Sequence, residues 1–108
     1  MLPNLGQLEE SILLIVMIVD EAYGVSVAQV YQKKTGNTVS IPAIHTVLKR
    51  LEKKGLLRSS MGEATAERGG RRKRLFEATP YGYRVISQLR ENRLKLWSLI
   101  PKLDLGNG

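Results

Sequence analysis

The side chains of this sequence with the clearest chemical capacity are its cations, and they gather in two stretches. The first, Ser40 to Gly55, reads Ser-Ile-Pro-Ala-Ile-His-Thr-Val-Leu-Lys-Arg-Leu-Glu-Lys-Lys-Gly. Ile44, Val47, Leu48 and Leu51 recur at i, i+3, i+4 and i+7, the spacing of one apolar stripe on a helix. The opposite face carries Pro42, His45, Thr46, Lys49, Arg50 and Lys53, with no acid among them. Short residues near its start allow close approach to base edges, hydroxyl and imidazole groups can read those edges, and cations neutralise phosphates. The second stretch runs from Gly62 to Lys73. Around Gly69 and Gly70 it holds Arg68, Arg71, Arg72 and Lys73, with Arg74 just beyond, so seven residues contain five of the chain's 17 Lys and Arg. A basic loop flexed by glycines can follow a phosphate backbone or place an arginine in a minor groove. Either stretch alone could be a solvated charged surface; the two in succession point to nucleic acid.

Other chemistries find little support. The net charge of +7, with pI near 10, favours a polyanionic partner. There is no cysteine, hence no disulfide framework or thiol chemistry, and a single histidine excludes a Cys/His metal site. Gly69-Gly70 has no helix start close behind it, so it is not a phosphate-binding loop of the nucleotide-hydrolase type. The carboxylates are scattered and form no obvious acid–base pair. No enzyme activity, cofactor or metal is therefore expected. Ile12 to Val19 is an unbroken apolar run but too short to span a bilayer, and Glu9 and Glu10 precede it where a secretory leader would carry cations. The expected location is the cytoplasm, with no membrane association.

These cations must be positioned by a small scaffold. A chain of 108 residues is one domain, or one domain with a helical extension, and its modest core favours dimerisation. Residues 5 to 20 read as a first helix, with Asn4 and Gln7 at capping-box spacing. Its second half is apolar all round, so two sides are covered, the second either by another subunit or by the rest of its own domain. Asp20-Glu-Ala-Tyr-Gly24 interrupts the pattern, and residues 25 to 35 form a short second helix. Ser40 caps the third helix, Pro42 is tolerated in its first turn, and Gly55 suits its C′ position. Two short helices with a brief connection, the second basic on its outer face, make a helix-turn-helix. Leu56 to Met61 and Arg74 to Ala78 read as paired strands around the basic loop, which adds a wing.

Thr79 and Pro80 then start a last helix reaching about Ile100. Ile86, Leu89, Arg93, Leu96, Trp97 and Ile100 recur at near-heptad spacing, a stripe suited to packing on a two-fold partner together with the first helix. The expected fold is thus mainly α with a small β-hairpin: a winged helix-turn-helix over residues 1–78 and a dimerisation helix over 79–108. The expected homodimer interface comprises Leu8, Ile12, Ile15, Leu89, Leu96, Trp97 and Ile100.

The sequence resembles the PadR family of bacterial transcriptional regulators from about Leu5 to Leu89. The resemblance rests on Asp20-Glu-Ala-Tyr-Gly24, on Ser40 through Leu51 with Leu-x-x-Leu-x-Lys-Lys-Gly-Leu-Leu ending at Leu57, and on Gly69-Gly-Arg-Arg-Lys-Arg-Leu-Phe-Glu-Ala-Thr-Pro-Tyr-Gly82. One departure is His45, where the family usually has a tyrosine associated with the DNA backbone; an imidazole there can still donate to a phosphate, with a charge that depends on pH. The resemblance implies a homodimer joined through first and last helices. It also implies, by similarity to multidrug-sensing members, that Trp97 is a platform on which a planar aromatic ligand stacks at the dimer centre. The function expected is a homodimeric repressor that binds a double-stranded DNA operator and is released by such a ligand. Ser40, Pro42, His45, Thr46 and Lys49 would lie nearest the bases, and Arg50, Lys53, Arg68, Arg71, Arg72 and Lys73 would attract phosphates. The alternative is a winged-helix module that binds protein or RNA through the same face.

Overall fold

The computed structural model describes residues 2–64 and 72–102. Its elements follow in the order α1 (Gln7–Ile18), α2 (Gly24–Thr35), α3 (Ile41–Lys53), β1 (Leu57–Ala64), β2 (Arg72–Ala78) and α4 (Pro80–Ser98). This is the mainly helical, winged fold that the sequence leads one to expect. Arg68, Arg71 and the Gly69-Gly70 loop lie outside the described residues.

Each helix starts where a side chain can satisfy an otherwise unpaired amide. The Ser40 hydroxyl accepts from the Ala43 N–H at 3.3 Å, and the Thr79 hydroxyl accepts from the Gly82 N–H at 2.9 Å. At α2, Ser26 reaches back instead and its hydroxyl accepts from the Tyr23 N–H at 3.0 Å. The start of α1 differs from expectation. Gly6 is the cap residue, and Glu9 rather than Gln7 reaches back, its Oε1 accepting from the Gly6 N–H at 3.1 Å. Glu9 prevails because a cation fixes it: Lys54 Nζ, just past α3, lies 2.7 Å from its other oxygen and also donates to the Asn4 carbonyl at 3.1 Å. Helix α3 ends as Gly55 allows, with φ of 78°. The Leu56 N–H donates to the Leu51 carbonyl and the Gly55 N–H to the Glu52 carbonyl, both at 2.9 Å.

Strands β1 and β2 pair antiparallel, with Leu57 opposite Ala78, Ser59 opposite Phe76 and Met61 opposite Arg74, and the register shifts between Met61 and Ala64. The Phe76 N–H donates to the Ala22 carbonyl at 2.8 Å, so the turn after α1 acts as a one-residue third strand on the wing. That bridge has no signature in the sequence pattern.

One core serves the described residues. Ile12, Leu13, Ile15 and Val16 of α1 meet Ile44, Val47, Leu48 and Leu51 of α3, and Leu56, Leu57, Phe76, Val85 and Ile86 close it. Burial of each such side chain is worth about 1.5–3 kcal/mol. The two sides of α1 are therefore covered differently. Ile12 and Ile15, expected at the subunit interface, are sealed in the chain's own core, because α2, α3, β2 and α4 all pack on this central helix. Leu14 and Ile18 are the large apolar residues of α1 left exposed. Helix α4 is likewise divided: Val85 and Ile86 belong to the core, whereas Leu94, Leu96 and Trp97 stand free of it, Trp97 being 70% exposed. Among the described residues, no helix is long and apolar enough to cross a membrane.

Two outcomes are expected from this packing. A Cβ at Gly82 would collide with the Leu56 carbonyl. Gly82→Ala should destabilise the protein by about 2–3 kcal/mol in chemical denaturation, since the obstacle is backbone and cannot rotate away. The second concerns Glu9. Burial pushes its carboxyl up, but the Lys54 hydrogen bond, the Gly6 N–H and the Lys54 and Arg50 charges together hold it below the ordinary 4.5. A depressed folded-state value stabilises fully above 4.5 and is lost as pH falls through the folded value. Glu9→Gln should therefore reduce stability by about 0.5–1 kcal/mol near neutral pH. The difference between the two proteins should vanish in denaturation measured well below pH 4.5.

Candidate nucleic-acid interface

Helix α3 turns its apolar stripe inward, so the opposite face is forced outward. Ser40, Pro42, His45, Thr46, Lys49, Arg50 and Lys53 are all exposed on that face. The Thr46 hydroxyl donates to the Pro42 carbonyl at 3.0 Å, which leaves its methyl group and an acceptor lone pair to face outward. His45 does not stand free: its ring lies against Gly24 at the start of α2, where a Cβ would be 2.6 Å from Nε2. The missing side chain at Gly24 lets the imidazole settle into the seam between the two helices.

The electrostatics of this face follow from where the acids go. Glu52, the single acid of α3, is engaged behind the face; the Ser59 hydroxyl donates to its Oε2 at 2.5 Å, and Arg74 donates to that hydroxyl at 3.0 Å. Among the described residues, Lys49, Arg50 and Lys53 have no ion-pair partner. Three unpaired cations along the second half of an exposed helix form a strip that attracts phosphates.

The wing supplies less than the sequence suggests. Arg72 is exposed, with Nε donating to the Gly62 carbonyl at 2.9 Å, which braces the hairpin across its register shift. Lys73 is turned inward. Its side chain is 17% exposed, with Nζ 3.5 Å from a Glu21 carboxylate oxygen and 4.3 Å from the Tyr23 ring centre. A readable signal existed: side chains alternate along a strand, so once β2 begins at Arg72, Lys73 must face away from Arg72 and Arg74. Glu21 and Tyr23 were missed because their stretch reads only as a break between helices. Arg68 and Arg71 fall outside the described residues.

A second surface lies between α1 and α4. Leu14, Met17, Tyr83, Leu94 and Trp97 line a groove of about 400 Å³, and Arg93 pairs with Glu10 at 2.6 Å along it. Of the expected interface residues, Leu8 and Leu89 are half-buried, while Leu96, Trp97 and Ile100 are exposed.

Comparison with known proteins gives a consistent answer. A PadR-like regulator from Bacteroides fragilis superposes with a TM-score of 0.74, at 24% identity over 86% of this chain and 85% of that one. A PadR-like regulator from Bacillus cereus gives 0.70, at 22% identity over 93% of each chain. A transcriptional regulator from Clostridium thermocellum gives 0.66, at 24% identity over 87% of this chain and 92% of that one. Comparison with curated proteins returns no match. The family model for PadR-like transcriptional regulators, whose members are transcription factors rather than enzymes, matches residues 12–88. That span contains α2, α3, the wing and the core half of α4, and the chain belongs to the PadR-like family of DNA-binding transcriptional regulators.

Proposed function

We propose that the protein acts as a homodimeric repressor, with residues 1–78 bound to a pseudo-palindromic operator and the outer half of α4, within 79–108, joining the two copies. The observation that carries this reading is the outward face of α3: eight exposed residues from Ser40 to Lys53, Ile41 among them, with no exposed acid between them. Two such helices would enter successive major grooves about 34–36 Å apart. Ser40, Pro42, His45, Thr46 and Lys49 would meet bases and adjoining phosphates, and Arg50, Lys53, Arg68, Arg71 and Arg72 would attract the backbone. Lys73, turned toward Glu21 and Tyr23, is not among these phosphate contacts.

The dimer is supported by what a single chain leaves uncovered. Leu94, Leu96, Trp97, Leu99 and Ile100 are each more than half exposed, and on α1 both Ile18 and Leu14, which shares a groove with Leu94 and Trp97, are exposed as well. A second copy related by a two-fold axis would cover both. Trp97, which lines the α1–α4 groove, would then offer a flat face to a planar aromatic ligand at the dimer centre. Release of DNA follows if that ligand prefers the dimer geometry that misaligns the two α3 helices.

Two experiments test this. Mobility shifts with the promoter duplex and a scrambled one, across a salt series, should show tight binding to the promoter alone. Changing Arg71 and Arg72 together to alanine should weaken binding to both duplexes and reduce the slope of log K against log salt by about 1.8, on the scale of 0.9 per phosphate contact. An unchanged slope removes the wing from the interface. Titration with planar aromatic dyes should quench the fluorescence of Trp97, the single tryptophan, with one ligand per two chains. A ratio of one per chain would exclude a shared central site.

A further inference from the structure

The geometry points to Lys73, Glu21 and Tyr23 as a clamp that sets the wing's position relative to the recognition helix, which makes Lys73 a positioning residue and not a phosphate contact. The inference rests on the DNA-binding reading above and deepens it.

Three contacts converge on the five residues from Asp20 to Gly24. Lys73 of the wing places Nζ 3.5 Å from Glu21 Oε2 and 4.3 Å from the Tyr23 ring centre, so the cation sits between a carboxylate and an aromatic face. Three residues further along the same strand, the Phe76 N–H donates to the Ala22 carbonyl at 2.8 Å. On the other side, Gly24 lies against the His45 ring of α3. Glu21, Ala22 and Tyr23 thus hold the wing while Gly24 touches the recognition helix. The segment itself is stiffened by Ser26, whose hydroxyl donates to the Glu21 carbonyl at 2.7 Å and accepts from the Tyr23 N–H at 3.0 Å. Wing and recognition helix meet different parts of a duplex, so their separation has to match the groove geometry. A clamp between them affects operator binding more than binding to arbitrary sequence, where the wing can settle on any phosphate.

The clamp and a phosphate role make opposite forecasts for an acid. If Glu21 only adds negative charge near DNA, Glu21→Gln should strengthen binding to every duplex. As part of a clamp, Glu21→Gln should weaken operator binding by about threefold to tenfold and leave the scrambled duplex unchanged. Lys73→Gln should do the same without changing the salt slope, and the double variant should be no worse than either single one. A salt slope reduced by about 0.9 in Lys73→Gln, with tighter binding by Glu21→Gln, would overturn the clamp. If the unaltered protein does not distinguish the two duplexes, the regulator reading fails, and the clamp is decided without DNA. The chain has no cysteine, so spin labels go only to Gln29→Cys on α2 and Met61→Cys on the wing, and mixing the labelled protein with an excess of unlabelled chains isolates the distance within one copy. Lys73→Gln should broaden their distance distribution; an unchanged distribution overturns the clamp.

Discussion

The architecture depends on the backbone of Gly55 and Leu56. Within these two residues α3 ends, the wing begins and α4 is seated. Gly55 adopts a φ of 78° that closes α3, and its carbonyl accepts from the Thr79 hydroxyl at 2.7 Å. The Leu56 carbonyl accepts from the Thr79 N–H at 3.1 Å, and the bare Cα of Gly82 packs on the same peptide. Thr79 therefore caps α4 and fastens it to the end of α3 with one side chain. The direction of α4 is fixed relative to α3, so the α4 of a partner subunit would report on the placement of α3 in both copies.

Charge is distributed by the same economy. The acids of the described structure are largely engaged in holding elements together: Glu9 joins α1 to Lys54, Glu10 meets Arg93 on α4, Glu52 is tied to β1 through Ser59, and Glu77 pairs with Arg58 across the hairpin. Exposed pairs such as Arg58–Glu77 add little stability, about 0–1 kcal/mol. Their larger effect is on the field outside the molecule. With carboxylates occupied on inner and lateral faces, Lys49 and Lys53 remain unopposed on the outer one, and Arg50 has no ion-pair partner among the described residues. An overall charge of +7 becomes directional.

Much of this was legible in the sequence, for identifiable reasons. The apolar stripe of α3 has one solution on a helix, so its outward residues followed directly, and Ser40, Gly55, Thr79 and Pro80 marked boundaries through backbone chemistry that acts locally. What the sequence hid was relational. Gln7 and Glu9 could both reach back toward the start of α1, and only a lysine 45 residues away decided between them. Ile12 and Ile15 look identical to Leu14 and Ile18 in composition, and burial separates them only once α2, α3, β2 and α4 surround α1. The inward turn of Lys73 was concealed by the density of cations around it, which reads as a uniform charge run although a strand must alternate.

The contact between Gly24 and His45 also bears on how such a protein can change over generations. The two positions share one small volume: a ring at 45 occupies the space that a Cβ at 24 would need. A larger residue at 24 displaces the ring at 45 from this seat, which an exposed side chain can leave by rotating. The effect of a substitution at either position therefore depends on the other. Position 45 lies on the face that would read DNA, so a residue of the preceding helix that touches no base still influences where the side chain at 45 sits on that face.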